Sequence, residues 1–252
     1  MGSAQLVETR KRRTATPQHL LAQIQAYCAA HAEAQIVAKY ARYFKEGYDA
    51  YGVPERELST QRAAWLEAYR AELGLEGFLD LGDLLWQTGK YELGFLAISF
   101  VDGFKHEFRP ATLERLGRWF ALGVGNWAHT DVLCETLAEF LTRAIVPLEA
   151  FGPWRQAPYK YQRRAVPVTL LPLLKIRQEY TQLLDFLRPL MLDKEQVVQQ
   201  GLGWFLREAW KRQPEPVEVF LLEWKDTAPR LIFQYATEKI PPENKARFRK
   251  AK

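Results

Sequence analysis

The apolar positions of this chain recur with the three-to-four-residue spacing of helices, and no window shows the alternation of a β-strand. Proline and glycine lie mostly at the boundaries of segments of about 10–18 residues. The fold class is therefore predicted to be all-α. The pattern predicts helices over residues 18–30, 34–45, 54–72, 75–87, 91–103, 110–122, 127–143, 159–178, 181–191, 194–212, 216–224 and 229–239.

Short helices joined by tight turns favour a curved superhelical stack of helical pairs over a single bundle, which usually needs fewer and longer helices. Self-similarity between the pairs is weak. Stacks of this kind curve, and they usually bind extended partners on the concave side. We expect a basic, flexible tail over residues 1–16, a single stacked domain over 17–242 and a basic tail over 243–252.

Composition narrows the class of protein. With 252 residues, 48% of them hydrophobic, the chain can bury a large core. Cys28 and Cys134 form neither a disulfide framework nor a metal motif, which indicates a reducing cytoplasm. No apolar segment follows the basic residues 10–13, and the longest apolar runs are too short to cross a membrane. We expect a cytoplasmic monomer, nucleoid-associated when bound to DNA, with no metal, cofactor or membrane partner.

Positive charge is concentrated in one part of the chain. The net charge is +5, and residues 150–178 hold six cations without any acid, so the rest is nearly neutral. Such a segment is typical of a surface that meets phosphates, and the alternative is an ordinary solvated helix face. The six are Arg155, Lys160, Arg163, Arg164, Lys175 and Arg177.

Two tryptophans stand beside charged residues. Trp127 and Asp131 are four residues apart and share a helix face, which places a carboxylate beside an aromatic surface. Such a pair can stabilise developing positive charge. Helical counting puts both at the rim of the apolar stripe Leu133, Leu137, Phe140 and Leu141, and puts Trp204 at the rim of the stripe Val198, Leu202, Phe205 and Ala209.

Each of these residues also has an ordinary interpretation. A single tryptophan is usually a core residue, as we expect of Trp65, Trp86 and Trp119, and an Asp near a helix start complements the helix dipole. His129 lies on a different side of its helix from the pair and is predicted to be at the surface. Only the combination of residues carries a functional hypothesis.

Several segments match one known family, in the family's order along residues 36–242. The chain resembles the AlkD-type DNA alkylation repair proteins, bacterial DNA glycosylases built from HEAT-like helical repeats. The segments are Ala41-Arg42-Tyr43-Phe44-Lys45 with Gly52-Val53-Pro54-Glu55-Arg56, Asn126-Trp127-(x3)-Asp131, Gln162-Arg163-Arg164-Ala165-Val166, and Gly203-Trp204-Phe205-Leu206-Arg207-Glu208 followed by an ending near Tyr235–Pro241.

The resemblance implies a curved HEAT-like stack with a basic concave face, in which Trp127 and Trp204 are the aromatic walls of a cleft and Asp131 is the catalytic carboxylate. It also implies that Arg164 and Arg207 approach the backbone of double-stranded DNA. Relatives excise cationic N3- and N7-alkylated purines, acting from the sugar side with the lesion left in the duplex. We expect further DNA contacts from Arg163, Lys160, Lys211 and Tyr43.

Two hypotheses follow. The first is a monofunctional glycosylase for alkylated purines, and the second is a non-catalytic HEAT-like module that binds nucleic acid or a protein through its concave surface. The presence of Asp131 favours the first. Ala128 departs from relatives that carry an acidic residue after the matching Trp, and the sequence shows no evident constellation for reading a flipped base.

Overall fold

The computed structural model describes residues 16–250, which contain helices and no β-strand. This confirms the predicted all-α class. The α-helices are α1 (Pro17–Ala30), α2 (Ala34–Ala41), α3 (Glu55–Gln87), α4 (Tyr91–Asp102), α5 (Pro110–Leu122), α6 (Trp127–Thr142), α7 (Lys160–Thr169), α8 (Thr181–Leu187), α9 (Gln196–Trp210), α10 (Pro214–Trp224), α11 (Arg230–Ala236) and α12 (Pro242–Lys245). Short 3₁₀ segments lie at Lys105–Glu107, Leu148–Gln156, Leu171–Lys175, Arg188–Leu192 and Ala246–Phe248.

Local sequence explains where the helices begin. Pro17, Pro110 and Pro214 occupy the first helical position, where a missing N–H costs nothing. Asn126 caps α6, since its side-chain oxygen accepts a hydrogen bond from the His129 N–H at 2.8 Å. The cap therefore fixes the first helical residue of α6 at Trp127.

Several predicted helices differ from the structure. The helix predicted over 34–45 ends at Ala41. The two predicted over 54–72 and 75–87 form one element, α3, which bends at Gly74, where φ is +57°. The helix predicted over 159–178 stops at Thr169 and continues as a 3₁₀ turn, because Pro172 disfavours α-helical geometry in the residue before it.

Successive helices pack in a row, α3 on α4, α4 on α6, α6 on α7, α7 on α9 and α9 on α11. In addition, α1 and α5 pack on α3, and α10 packs on α9. The arrangement is a stack of helical pairs, as predicted, rather than one bundle. It brings the candidate site residues of α6, α7 and α9 onto three neighbouring helices.

One core runs through the stack. Trp65, Trp86 and Trp119 are buried, as predicted, and Val198, Leu202, Phe205 and Ala209 of α9 are fully buried. Cys28 and Cys134 are free thiols inside the core. Within residues 16–250 no helix is long and apolar enough to span a bilayer, and no three His, Cys, Asp or Glu side chains are grouped to hold a metal ion.

The C-terminal segment packs on the domain as far as residue 248. Phe248 is buried, and its carbonyl accepts a hydrogen bond from Arg230 Nη1 at 2.8 Å. Arg247 pairs with Glu218 at 2.8 Å. Most of the expected tail over 243–252 is thus attached to the stack. The expected tail over 1–16 lies outside the described residues, apart from Thr16, which caps α1.

Candidate active site

Trp127 and Asp131 occupy the first and fifth positions of α6. The Trp127 side chain is 42% exposed and that of Asp131 is 20% exposed, whereas Leu133 and Leu137 are fully buried. The two therefore lie one helical turn apart at the rim of the apolar face, as the sequence predicted. An indole and a carboxylate share an accessible strip of the helix.

Arg164 of α7 holds the carboxylate of Asp131. Its Nε and Nη2 donate to the two carboxylate oxygens at 2.9 and 2.8 Å, and its Nη1 donates to the Val197 carbonyl at 2.7 Å. Arg164 is only 6% exposed. Gly201 of α9 makes room for it, because a Cβ there would lie 3.2 Å from the Arg164 side chain. A buried, two-bond fork fixes the direction of the carboxylate.

The contact of Arg164 with the DNA backbone stays a prediction, and the structure shows this side chain bonded to protein atoms. Three of its five N–H groups donate to protein atoms and the residue is only 6% exposed, so little of the guanidinium is accessible to a phosphate. Sequence reasoning missed the pairing because α6 and α7 are separated by a long 3₁₀ segment.

Residues 42–54, which join α2 to α3, cover one side of Trp127. We call them the α2–α3 loop. The Phe44 ring stacks on Trp127 with centroids 5.9 Å apart, and the Tyr43 carbonyl accepts from the Trp127 indole N–H at 3.4 Å. The Tyr43 side chain is 52% exposed. Tyr43, predicted as a DNA contact, is thus beside Trp127 in space.

A buried carboxylate anchors the α2–α3 loop. Glu92 of α4 is 5% exposed, and its oxygens accept from the backbone N–H groups of Tyr51 at 3.0 Å and Gly52 at 2.6 Å. Gly52 has φ of +80°, and a Cβ there would lie 2.3 Å from the Glu33 carbonyl oxygen. The loop therefore passes where only glycine fits. Glu92 was not foreseen from the sequence.

A cavity of about 880 Å³ opens beside Trp127, between the α2–α3 loop, the start of α3 and α4. No such pocket was predicted from the sequence, although the aromatic residues between positions 40 and 51 are a signal that could have indicated it. The aromatic residues of its wall include Tyr40, Tyr43, Phe44, Tyr48, Tyr91 and Trp127.

Three of the six cations of the basic segment 150–178 pair with acids from other elements. Lys160 pairs with Glu46 of the α2–α3 loop, and Arg163 Nε donates to Asp193 at 2.6 Å. The acidic partners of these cations lie elsewhere in the chain, outside the segment. Its surface is therefore less positive than its composition indicated.

The second tryptophan site lies on α9. Trp204 is half-buried against the core, and Arg207 beside it pairs with Glu238 and, at 3.1 Å, with Glu208. Lys211 also pairs with Glu208, at 2.7 Å. The order of the stack places α7, with Arg164, between the helix of Trp127 and the helix of Trp204.

His129 is a structural residue, so the prediction that it lies at the surface is wrong. It is 4% exposed, its Nε2 bonds to the Tyr91 carbonyl at 2.9 Å, and its ring packs on Tyr91 and Trp86. The reason is packing between α4 and α6. Gly94 on α4 has no side chain, and a Cβ there would come 2.8 Å from the His129 ring.

Acid is expected to destabilise the protein through His129. Burial lowers the pKa of His129 from 6.5 to about 4, although the hydrogen bond with the Tyr91 carbonyl opposes the shift. Between these values the unfolded chain binds more protons, so the stabilising contribution is complete above about pH 6.5 and is lost towards pH 4. Urea unfolding at pH 7 and pH 5 should show a smaller loss of stability for His129→Gln than for wild type. The matched change at exposed His106 should leave the loss unaltered, and equal losses in all three proteins would contradict the assignment.

Comparison with known proteins places this helical-stack protein in a family. The family model for DNA alkylation repair enzymes matches residues 24–240. The chain therefore belongs to the DNA alkylation repair enzyme family. Membership gives it a role in alkylation repair and implies DNA as its substrate. No curated protein matches the chain.

Solved structures share the fold. A protein described as a predicted DNA alkylation repair enzyme from Enterococcus faecalis is 17% identical, with a TM-score of 0.69 over 84% of this chain and 98% of that one. AlkD2 from Streptococcus mutans is 20% identical, with a TM-score of 0.56 over 82% and 98%. The protein smu.31 from Streptococcus mutans UA159 is 20% identical, with a TM-score of 0.57 over the same shares. The AlkD-type helical-repeat architecture is thus the fold of this chain.

Proposed function

We propose that the protein is a monofunctional DNA glycosylase that hydrolyses the N-glycosidic bond of cationic N3- and N7-alkylated purines in duplex DNA. The observation that carries the proposal is the Asp131 carboxylate, held by the Arg164 fork one turn from the exposed Trp127. Family membership supplies the link to alkylated DNA.

Departure of the alkylated base needs little help from a general acid. The alkylated base carries a positive charge, so it leaves with the electron pair of the C1′–N bond and becomes neutral. Positive charge then develops on the deoxyribose, as in other glycosyl transfers. A carboxylate beside the sugar stabilises that charge and orients the water that attacks C1′, and the proton that the water loses as the C1′–O bond forms passes to solvent. Asp131 is the residue proposed for both tasks.

The tryptophans add to the same effect. An indole face attracts a cation by about 1–2 kcal/mol where water is excluded. Trp127 stands on the same helix as Asp131, and Trp204 stands two helices away across α7. Together they would frame the cationic nucleoside from two sides.

Arg164 is proposed as a positioning residue for Asp131. Two bonds to the carboxylate and one to the Val197 carbonyl set the direction of the acid before substrate arrives. Such preorganisation lowers the barrier because no reorientation is needed during the reaction.

Contacts with the DNA backbone are proposed for the more exposed cations. Lys160 and Lys211 keep about a third and nearly half of their side chains exposed, at 32% and 46%, whereas Arg163 and Arg207 are less accessible at 17% and 21%. Each would exchange a carboxylate partner for a phosphate. Phosphate contacts fix register without reading sequence, which suits an enzyme that meets lesions in any context.

Release of free base from alkylated DNA is the test of the proposal. Wild-type protein is incubated with duplex DNA carrying 7-methylguanine and 3-methyladenine, and released bases are separated by chromatography. We expect release of at least one of the two, with an abasic site left in the strand. Salt-dependent DNA binding without release would instead support a non-catalytic binding module.

A further inference from the structure

The α2–α3 loop reaches from Trp127 to α7. Phe44 contacts Trp127, and two residues later Glu46 contacts the first turn of α7, pairing with Lys160 and accepting from the Tyr161 hydroxyl at 3.3 Å. Gly47 directly follows with φ of +112°, a conformation that favours glycine. The turn at Gly47 therefore directs the Glu46 carboxylate onto α7.

Lys160 stands on the active-site side of α7. It is four residues before Arg164, so the two share a helix face, and Arg164 binds Asp131. Lys160 is also the first residue of α7, where the helix dipole favours an anion. Glu46 thus occupies a position in which a DNA phosphate near Asp131 would contact both the Lys160 ammonium group and the N-terminus of α7.

The Glu46–Lys160 pair can be exchanged. Glu46 is 49% exposed and Lys160 is 32% exposed, so water and salt screen the attraction between them. The firm anchors of the loop lie further on, at Tyr51 and Gly52. Releasing Glu46 therefore leaves the rest of the loop attached to α4.

We propose that Glu46 is an intramolecular competitor of DNA phosphate for Lys160. The proposal rests on the DNA-binding function proposed above. DNA binding replaces the Glu46 carboxylate at the start of α7 by a phosphate, and Glu46 moves away from α7. The carboxylate thereby weakens binding to any duplex, and it penalises undamaged DNA to the same degree as damaged DNA.

The test measures the affinity for unmodified fluorescent duplex DNA by anisotropy. Glu46→Gln should bind about 3–5-fold more tightly than wild type, which is the effect expected of an exposed ion pair. In a Lys160→Ala background the same change should give no gain. Tyr161→Phe, which removes a hydrogen bond to Glu46 without changing charge, should also tighten binding, though by less.

Glu223→Gln is the matched control. Glu223 pairs with Arg188, is exposed to a similar degree at 45%, and loses the same charge on substitution. A gain for Glu46→Gln no larger than that of Glu223→Gln would overturn the proposal, as would a gain that persists without Lys160. Wild-type protein that binds no duplex would overturn the proposed function as well. Binding without these differences would overturn the competition alone.

Discussion

Asp131→Asn is expected to abolish most base release, with a loss of about 10²–10³-fold in the single-turnover rate. The amide keeps the size of the side chain but cannot offset positive charge on the sugar. It also places an amide donor opposite one donor of the Arg164 fork, where wild type has a second acceptor. DNA affinity should be equal or slightly higher, because one negative charge is gone. The measurement is release of 7-methylguanine under enzyme excess, beside an anisotropy titration.

Glu135→Gln is the control for that change. Glu135 lies on α6 one turn after Asp131, is exposed, and loses the same charge on substitution. It should release base at the wild-type rate. Thermal unfolding of both variants shows whether the fold is retained. An Asp131→Asn protein that is folded and as active as wild type would remove Asp131 from the mechanism.

Gly203→Ala is expected to destabilise the stack by about 3 kcal/mol, which corresponds to a fall in Tm of about 6–12 °C for a chain of this size. A Cβ at Gly203 would lie 2.5 Å from the Cβ of Tyr235 and 2.8 Å from the carbonyl oxygen of Ile232. Neither atom is the end of a flexible side chain, so α9 and α11 must separate. Because Trp204 is the next residue, base release should fall as well.

The control for the packing effect is Gly152→Ala. A Cβ there would meet only Arg155 Nη2, at 3.6 Å, so the same added methyl group finds ordinary contact distance. Its Tm should change by no more than about 3 °C, since little strain is introduced. Calorimetry of the two variants beside wild type is sufficient. Equal shifts would show that the close approach of α9 to α11 does not limit stability.

Local signals in the sequence were sufficient to predict the all-α class and most of the helices. The starts predicted at residues 18, 110 and 127 agree to within one residue with the structure, whereas the helix predicted from 216 begins at Pro214. Helical counting put Trp127 and Asp131 at the rim of α6, and they lie there. Errors arose where a helix is broken by context, as at Pro172, or bends without ending, as at Gly74.

The partners of the site residues could not be predicted in the same way. Lys160 and Glu46 are 114 positions apart, and Arg163 and Asp193 are 30 apart, so no helical periodicity relates them. Burial of His129 depends on a glycine in a different helix. Such contacts depend on how the helices stack on one another, and a single sequence contains no local signal of that stacking.

The anchoring of the α2–α3 loop by Glu92 links the site to a repeat that holds none of the proposed catalytic residues. Glu92 sits on α4, yet its two backbone partners fix the segment whose other end places Tyr43 and Phe44 against Trp127. A chimera that exchanges N-terminal repeats between relatives would keep loop and anchor matched only if its junction falls after Asp102, the last residue of α4. A junction before α4 would join each loop to a foreign anchor and disturb the contacts of Tyr43 and Phe44 with Trp127.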